Sequence, residues 1–149
     1  MAEPLTFMMG KFAAVLPGDL RYARNHMWCR ETEGRLRFGF TSYAVRLMKD
    51  VYFLDWTVDA GAVLTAKQHI GHIETSKAQS DLFAPMAGTL VQFNQELLRD
   101  PSGINVDNHG PGWLFDLQGE GDATMTAAEY YQFLDAGWET TQRILKGHV

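Results

Sequence analysis

One lysine, Lys77, stands in the middle of a run of small polar residues that separates two segments bearing apolar side chains. Segments with a period of two on either side of a short polar connection predict a β-hairpin. The connection spans 75–80, so we expect the amine of Lys77 at or near the hairpin tip, in water. Glu74 and Asp81 bracket it with negative charge. A lone exposed lysine usually only interacts with solvent, so its neighbours decide whether its amine does chemistry.

The residues around Lys77 form a dense motif. Residues 74–88 read Glu-Thr-Ser-Lys-Ala-Gln-Ser-Asp-Leu-Phe-Ala-Pro-Met-Ala-Gly. This resembles the lipoylation segment of the glycine cleavage H-protein family, which typically runs Glu-Ser-Val-Lys-Ala-x-Ser-Asp-hydrophobic-x-x-Pro-x-x-Gly. The resemblance implies that Lys77 is the attachment site of covalent lipoate. Biotin carriers place methionines beside their lysine, whereas Ser76 and Ala78 stand here, so lipoate is the preferred cofactor.

Other parts of the chain carry the same resemblance. Residues 20–30 contain the pattern Leu-x-Tyr-x-x-x-His-x-Trp, residues 94–101 contain Asn-x-x-Leu-x-x-x-Pro, and residues 110–113 read Gly-Pro-Gly-Trp. All three occur in the family, and the resemblance covers roughly residues 20–136. It implies that Glu74 and Asp81 serve as recognition points for the attaching enzyme or contact the arm; solvation of the hairpin is the alternative.

Many short strand-like segments with glycine-rich turns predict a mainly β barrel or sandwich with a covering helix. The resemblance narrows this to the barrel-sandwich hybrid of lipoyl and biotinyl carriers, with short helices and a C-terminal helix. Residues 1–18 are interpreted as an N-terminal extension that adds an edge strand or covers part of the core. Residues 19–149 are interpreted as the lipoyl-carrier domain.

Local signals predict two further details near the ends of elements. Thr126 and Glu129 have the spacing of a capping box, which predicts a helix start. Gly137 is expected to break that helix and leave a last turn or two beyond it. Residues 31–34 predict a turn in which Gly34 takes a positive φ.

Composition limits the classes of function. The chain has 149 residues, enough for one domain with a core. A net charge of −5 with no basic block argues against nucleic acid or an anionic membrane as a partner. The apolar run over 5–16 is too short to span a bilayer and lacks a basic segment before it, so we expect a cytoplasmic protein, and a monomer. Cys29 is the one cysteine, so the chain cannot form an internal disulfide. Any thiol chemistry would need a second sulfur atom from the cofactor.

One position departs from the family pattern. The family has His-Glu-Trp where this chain has His26-Met27-Trp28, and the glutamate is expected there to help hold the loaded arm. A protonated aminomethyl group in a partly dry cleft requires a carboxylate, which a thioether cannot replace. We therefore predict that His26 and Met27 line an arm cleft whose cargo is not aminomethyl. The departure resembles the lipoate-binding proteins of the heterodisulfide-reductase-like sulfur-oxidation pathway.

These observations predict a carrier and not an enzyme. The first interpretation is a dihydrolipoyl arm on Lys77 that shuttles sulfur to a heterodisulfide-reductase-like complex. The alternatives are the glycine cleavage H-protein, carrying aminomethyl between glycine cleavage enzymes, and a lipoyl donor or unmodified interaction module. A lipoate ligase or other attaching enzyme is an implied partner, with dihydrolipoamide dehydrogenase as a further one.

Two other groups of residues are weaker candidates. His69 and His72 could be drawn as metal ligands, but residues three apart on a strand are expected to point to opposite faces, so we predict no metal site. Cys29 is interpreted as a packed thiol, with contact to the arm as the alternative.

Overall fold

The structure, a computed structural model, describes residues 3–119 and 124–147, with side chains described as far as residue 143. Its strands are β1 Leu5–Met9, β2 Phe12–Leu16, β3 Arg21–Tyr22, β4 Met27–Thr32, β5 Arg35–Phe40, β6 Val51–Trp56, β7 Val63–Leu64, β8 His69–Thr75, β9 Gln79–Phe83, β10 Gly88–Phe93 and β11 Phe115–Gln118. Its helices are α1 Ser42–Met48, α2 Gln95–Arg99, α3 Gly103–Val106 and α4 Ala127–Gly147.

The described strands form three antiparallel sheets. Six strands pair in the order β3-β4-β5-β11-β10-β7, three pair in the order β6-β8-β9, and β1 pairs with β2. The main apolar core contains residues of both larger sheets, including Phe38, Phe115 and Leu117 from one and Ile73 and Leu82 from the other. This mainly β architecture, with short helices and a C-terminal helix, confirms the predicted fold class.

The N-terminal extension forms a hairpin of its own. Strands β1 and β2 bury alternate residues, as expected of a sheet with one packed face. Phe7 packs its ring edge-to-face with Tyr43, Tyr131 and Trp138, at centroid distances of 5.9, 5.5 and 5.7 Å. The hairpin therefore covers a second apolar cluster, shared with α1 and α4, and does not add an edge strand to either larger sheet.

Helix α4 begins as predicted but does not break. Thr126 N–H donates to Glu129 Oε1 (2.9 Å), and Glu129 N–H donates to Thr126 Oγ1 (3.2 Å), which confirms the capping box. The predicted break at Gly137 is wrong, because the helix continues to Gly147. A glycine costs a helix only about 1 kcal/mol relative to alanine, and the packing of Leu134 and Trp138 into the second apolar cluster offsets that cost.

The turn before β5 is tighter than the sequence indicated. Strand β4 extends to Thr32 and β5 starts at Arg35, so only two residues connect them. Glu33 and Gly34 have φ angles of 53° and 78°. Positive φ at both central residues is the pattern of a type I′ hairpin turn, and it confirms the positive φ predicted for Gly34.

Candidate functional site

Lys77 lies at the tip of the β8–β9 hairpin with its side chain exposed. Strand β8 ends at Thr75 and β9 begins at Gln79, so the connection is shorter than the predicted 75–80. Thr75 is 5% exposed, and its Oγ1 accepts hydrogen bonds from the N–H groups of Lys77 (3.2 Å) and Ala78 (3.3 Å). The hydroxyl donates in turn to Ala78 O at 3.2 Å. One buried hydroxyl thus holds the backbone that bears the lysine.

A second set of contacts ties the tip to the body of the protein. Ser76 N–H donates to Asp50 O (2.9 Å), and Asp50 N–H donates to Ser76 Oγ (3.2 Å). Asn105 then holds the segment around Asp50, because its Nδ2 donates to Lys49 O (2.7 Å) and its Oδ1 accepts from Val51 N–H (2.9 Å). The amine of Lys77 therefore extends into solvent from a backbone that is fixed on both sides.

The two carboxylates predicted to flank Lys77 are both engaged by neighbouring side chains. Glu74 Oε1 accepts a hydrogen bond from Gln79 Nε2 at 2.6 Å. Asp81 Oδ1 lies 3.2 Å from His69 Nε2, and the Asp81 side chain is 64% exposed. Both carboxylates are accessible on the outer face of the hairpin, where an enzyme that approaches Lys77 would meet them.

The prediction that His69 and His72 point to opposite faces is wrong. A β-bulge between His69 and Gly71 inserts one residue into β8, and a bulge reverses the side on which the following residues lie. Ile70 and Gly71 are both buried, while the two histidines face outward beside Asp81. Even so, no group of three His, Cys, Asp or Glu side chains within 3–119 and 124–143 is arranged to hold a metal ion.

A groove opens at the far end of β9 from the hairpin tip. It has a volume of about 570 Å³ and is lined by Arg24, Asn25, Ala66, Lys67, Phe83, Ala84 and Pro85. Asn25 Nδ2 donates to Phe83 O at 3.0 Å, which joins the segment before β4 to the end of β9. The groove therefore lies between the three-stranded sheet that carries Lys77 and the first strands of the six-stranded sheet.

The sequence of this chain is similar to those of a known protein family. A sequence model of the family described as Glycine cleavage H-protein matches residues 20–136. The chain belongs to the glycine cleavage H-protein family. The glycine cleavage system H protein of Mycobacteroides abscessus is 40% identical over 114 residues, covering 76% of this chain and 86% of that protein. The one from Neisseria meningitidis serogroup B is 36% identical over 120 residues, covering 77% and 93%.

A solved H-protein shares the fold. The crystal structure of a glycine cleavage system H protein from Mycobacterium marinum matches with a TM-score of 0.67 and 34% identity. The match covers 77% of this chain and 95% of that chain. Strands β1 and β2 and the last turns of α4 lie outside the residues that match the family model.

Proteins of this family carry lipoate covalently attached to a lysine. The residues at the hairpin tip fit that group, because attachment needs an accessible primary amine and Lys77 is exposed on a hydrogen-bonded turn.

Among the described residues, no helix combines the length and the apolar composition needed to cross a membrane.

The two residues predicted to line an arm cleft, His26 and Met27, differ in their surroundings. Met27 is 1% exposed and packs in the main core. His26 has a φ of 69°, and its Nδ1 lies 2.8 Å from the hydroxyl of Tyr130. Burial lowers the pKa of His26 to about 4. His26 lines a separate pocket together with Tyr43 and Phe133, whereas Arg24 and Asn25 line the groove at the end of β9.

Cys29 is a buried residue. Its side chain is 3% exposed and packs in the main core. Burial raises the pKa of its thiol to about 12. Since the thiolate is the reactive form of cysteine, we expect this thiol to be unreactive at neutral pH, in line with the interpretation of a packed residue.

Sequence reasoning missed three residues that line the groove: Arg24, Lys67 and Phe83. They come from three separate segments that meet only in the fold. Lys67 lies in a turn after a Thr-Ala pair and has a φ of 67° in the structure. Nothing in the sequence indicates that this turn packs against the end of β9.

Proposed function

We propose that this protein is a lipoyl carrier whose arm is attached to Lys77. The single observation that supports this is the exposed amine at the end of a hairpin whose backbone is fixed by Thr75 and, through Asp50, by Asn105. When bound, lipoate would supply a dithiolane ring that opens on reduction, so that one of its two sulfur atoms can hold a transferred group, and that is reoxidised to the ring after the group has left. Lys77 supplies the tether, and tethering replaces free collisions by encounters at high effective concentration.

We propose the glycine cleavage enzymes as its partners, with an aminomethyl group as cargo. The family match over residues 20–136 and relatives that are 36–40% identical support this assignment. The chain itself would act as a carrier and leave catalysis to those enzymes. A lipoate ligase would attach the cofactor, with Glu74 and Asp81 as recognition points on either side of Lys77. Dihydrolipoamide dehydrogenase would reoxidise the arm.

A second candidate is a sulfur cargo delivered to a heterodisulfide-reductase-like complex. Met27 favours it, because this thioether stands where the family has a glutamate and cannot pair with an ammonium ion. The burial of Met27 in the core weakens the idea that its own sulfur touches the arm. The argument for this candidate therefore depends on the missing carboxylate and not on the thioether.

Intact mass after expression with lipoate and a ligase tests the carrier function. We expect a mass increase of one lipoyl group that peptide mapping assigns to Lys77 and that Lys77→Arg abolishes. Lys67→Arg is the matched control and should leave the increase intact. A lysine that stays unmodified would contradict the carrier function and support an interaction module. Transfer of the lipoyl group from this chain to other acceptor proteins would support a lipoyl donor.

Glycine–bicarbonate exchange with glycine decarboxylase then separates the two cargoes. Efficient exchange by the lipoylated protein would establish the aminomethyl cargo and contradict the sulfur cargo. The sulfur candidate expects no exchange, although dihydrolipoamide dehydrogenase still turns the arm over. Turnover by dihydrolipoamide dehydrogenase shows that the lipoyl group on the protein can be reduced and reoxidised, so a lack of exchange would not reflect a damaged arm.

A further inference from the structure

A pocket lies between helix α4, helix α1 and the segment that precedes β4. It has a volume of about 380 Å³, and its lining includes His26, Tyr43, Phe133, Ala136, Gly137 and Thr141. None of these residues belongs to the hairpin that carries Lys77 or to the groove at the end of β9. The volume is at the lower end of the range for small-molecule sites, about 300–1,000 Å³. We call it the α4 pocket.

Gly137 leaves one wall of the α4 pocket open. It lies in the middle of α4, where a glycine is less favourable than an alanine. Outside the backbone of the helix itself, a Cβ atom at Gly137 would meet no atom within 4 Å, so close packing does not require a glycine here. A glycine without a packing reason allows another molecule to approach the backbone closely. Gly137 therefore favours a ligand that packs against the helix at this point.

The walls of the α4 pocket are largely aromatic. The ring of His26 lies 5.0 Å from that of Tyr43 and 5.9 Å from that of Phe133, between centroids. The hydroxyl of Thr141 donates to Gly137 O (3.1 Å) and accepts from the hydroxyl of Tyr43 (3.3 Å). The hydroxyl protons of Tyr43 and Thr141 are thus already used within the protein, and the rings form the surface that a ligand would contact.

The α4 pocket is uncharged. Within the described ranges, no Lys, Arg, Asp or Glu side chain lines it. Burial lowers the pKa of His26 to about 4, so its imidazole is neutral near pH 7. Arg24 lies over the ring of Phe133, 5.5 Å from its centroid, but it lines the groove at the end of β9. Because burying a charge without a partner is costly, the α4 pocket selects against ions.

His26 offers the pocket one ring nitrogen. Its Nδ1 lies 2.8 Å from the hydroxyl of Tyr130, which lies 3.0 Å from Thr41 Oγ1. The protons of these two hydroxyls can point in either direction along this chain, so either nitrogen of the imidazole can carry the proton. Nε2 forms no hydrogen bond with a described residue and is not sealed from solvent. It can therefore donate one hydrogen bond to a ligand or accept one from it.

Segments outside the family match help to build the α4 pocket. Gly137 and Thr141 follow residue 136, where that match ends. Phe7, in the N-terminal hairpin, packs edge-to-face on Tyr43 (5.9 Å) and on Trp138 (5.7 Å) and so supports one wall. The binding properties of the pocket therefore do not follow from membership of the family.

We propose that the α4 pocket binds a neutral small molecule with one ring and one hydroxyl or N–H group. The ring packs against Tyr43, Phe133 and the helix backbone at Gly137, and the polar group forms a hydrogen bond with His26 Nε2. The site is independent of the proposed lipoyl carrier function, because its lining residues lie outside β8 and β9.

NMR titration of the full chain with two matched pairs of compounds tests the chemistry of the site. Phenol and toluene have similar size, but only phenol forms a hydrogen bond; benzamide and benzoate have similar size, but only benzoate is charged. We expect the backbone amides of His26 and Gly137 to shift with phenol, and phenol to bind about 2- to 13-fold more tightly than toluene, as for one net hydrogen bond. Benzamide should bind at least about 10-fold more tightly than benzoate.

A variant that fills the pocket tests its location. Gly137→Leu introduces a better helix former into the open space, so the urea midpoint should stay or rise while phenol binding weakens at least about 10-fold. Gln132→Leu introduces the same side chain at an exposed position of α4 that does not line the pocket, and it should leave phenol binding unchanged.

Three results would overturn the inference: no shift at Gly137 up to the solubility limit of phenol, equal binding of benzoate and benzamide, or full phenol binding by Gly137→Leu. Lipoylated and unmodified protein should give the same phenol affinity. A failure of lipoylation would therefore contradict the carrier function and leave this site standing.

Discussion

Replacing Thr75 by valine tests whether one buried hydroxyl positions the attachment lysine. Valine has nearly the same shape but removes the oxygen that bonds Lys77 N–H, Ala78 N–H and Ala78 O. A typical hydrogen bond contributes about 0.5–1.5 kcal/mol net, and the freed amides at the exposed tip can bind water. We therefore expect local opening of the tip to become about 1–2 kcal/mol easier, because the Thr75 N–H to Ala78 O bond at 3.0 Å remains.

Amide hydrogen exchange measures this opening directly. An opening free energy lowered by one to two kcal/mol speeds exchange at Lys77 and Ala78 roughly 5- to 30-fold. Thr75→Ser keeps the hydroxyl and is the matched control, expected within about 3-fold of the parent. The rate of lipoylation by a ligase should fall in the valine variant and recover in the serine variant. Unchanged exchange at both amides in Thr75→Val would refute the role assigned to the hydroxyl.

Three further predictions concern buried groups. Burial lowers the pKa of His26 from 6.5 to about 4, so as the pH falls this histidine is protonated in the unfolded chain before it is protonated in the folded protein. The free energy of unfolding should therefore drop by up to about 3 kcal/mol between pH 6.5 and 4. In urea titrations at several pH values, His26→Asn should make this dependence on pH flatter. Cys29 should resist alkylation at pH 8 in the native protein and react fully in denaturant, as followed by mass. Asp116 is 0% exposed, and its carboxylate lies 2.9 Å from both Arg35 Nε and Arg37 Nε. Asp116→Asn should lower the free energy of unfolding by about 1–3 kcal/mol, which is less than for a fully buried pair because both arginines are partly exposed. An unchanged urea midpoint would contradict the ion-pair role.

The position of Lys77 was predictable because its signals are local. Alternation on both sides of a polar run specifies a hairpin, and the family motif occupies consecutive residues. The N-cap of α4 was predictable for the same reason, since Thr126 and Glu129 satisfy each other within one turn. Features decided within a few residues can be read from the chain without knowledge of the fold.

Features decided by distant packing could not be predicted. The bulge that turns His69 and His72 to one face depends on the register between β8 and β9. The continuity of α4 through Gly137 depends on apolar contacts with the N-terminal hairpin. The groove forms where Arg24 and Lys67 approach the same strand end. In each case the deciding partner is remote in sequence.

The ring of Phe7 lies against Trp138, and these two residues fall on opposite sides of the 20–136 region that matches the family. The first and last parts of the chain thus depend on each other, even though neither is needed to define the common core. A shorter version that starts at residue 20 would expose Tyr43, Tyr131 and Trp138 to water and would be prone to self-association. Removing the last turns of α4 as well would not prevent this, because Tyr43 and Tyr131 lie inside the 20–136 region and would stay uncovered.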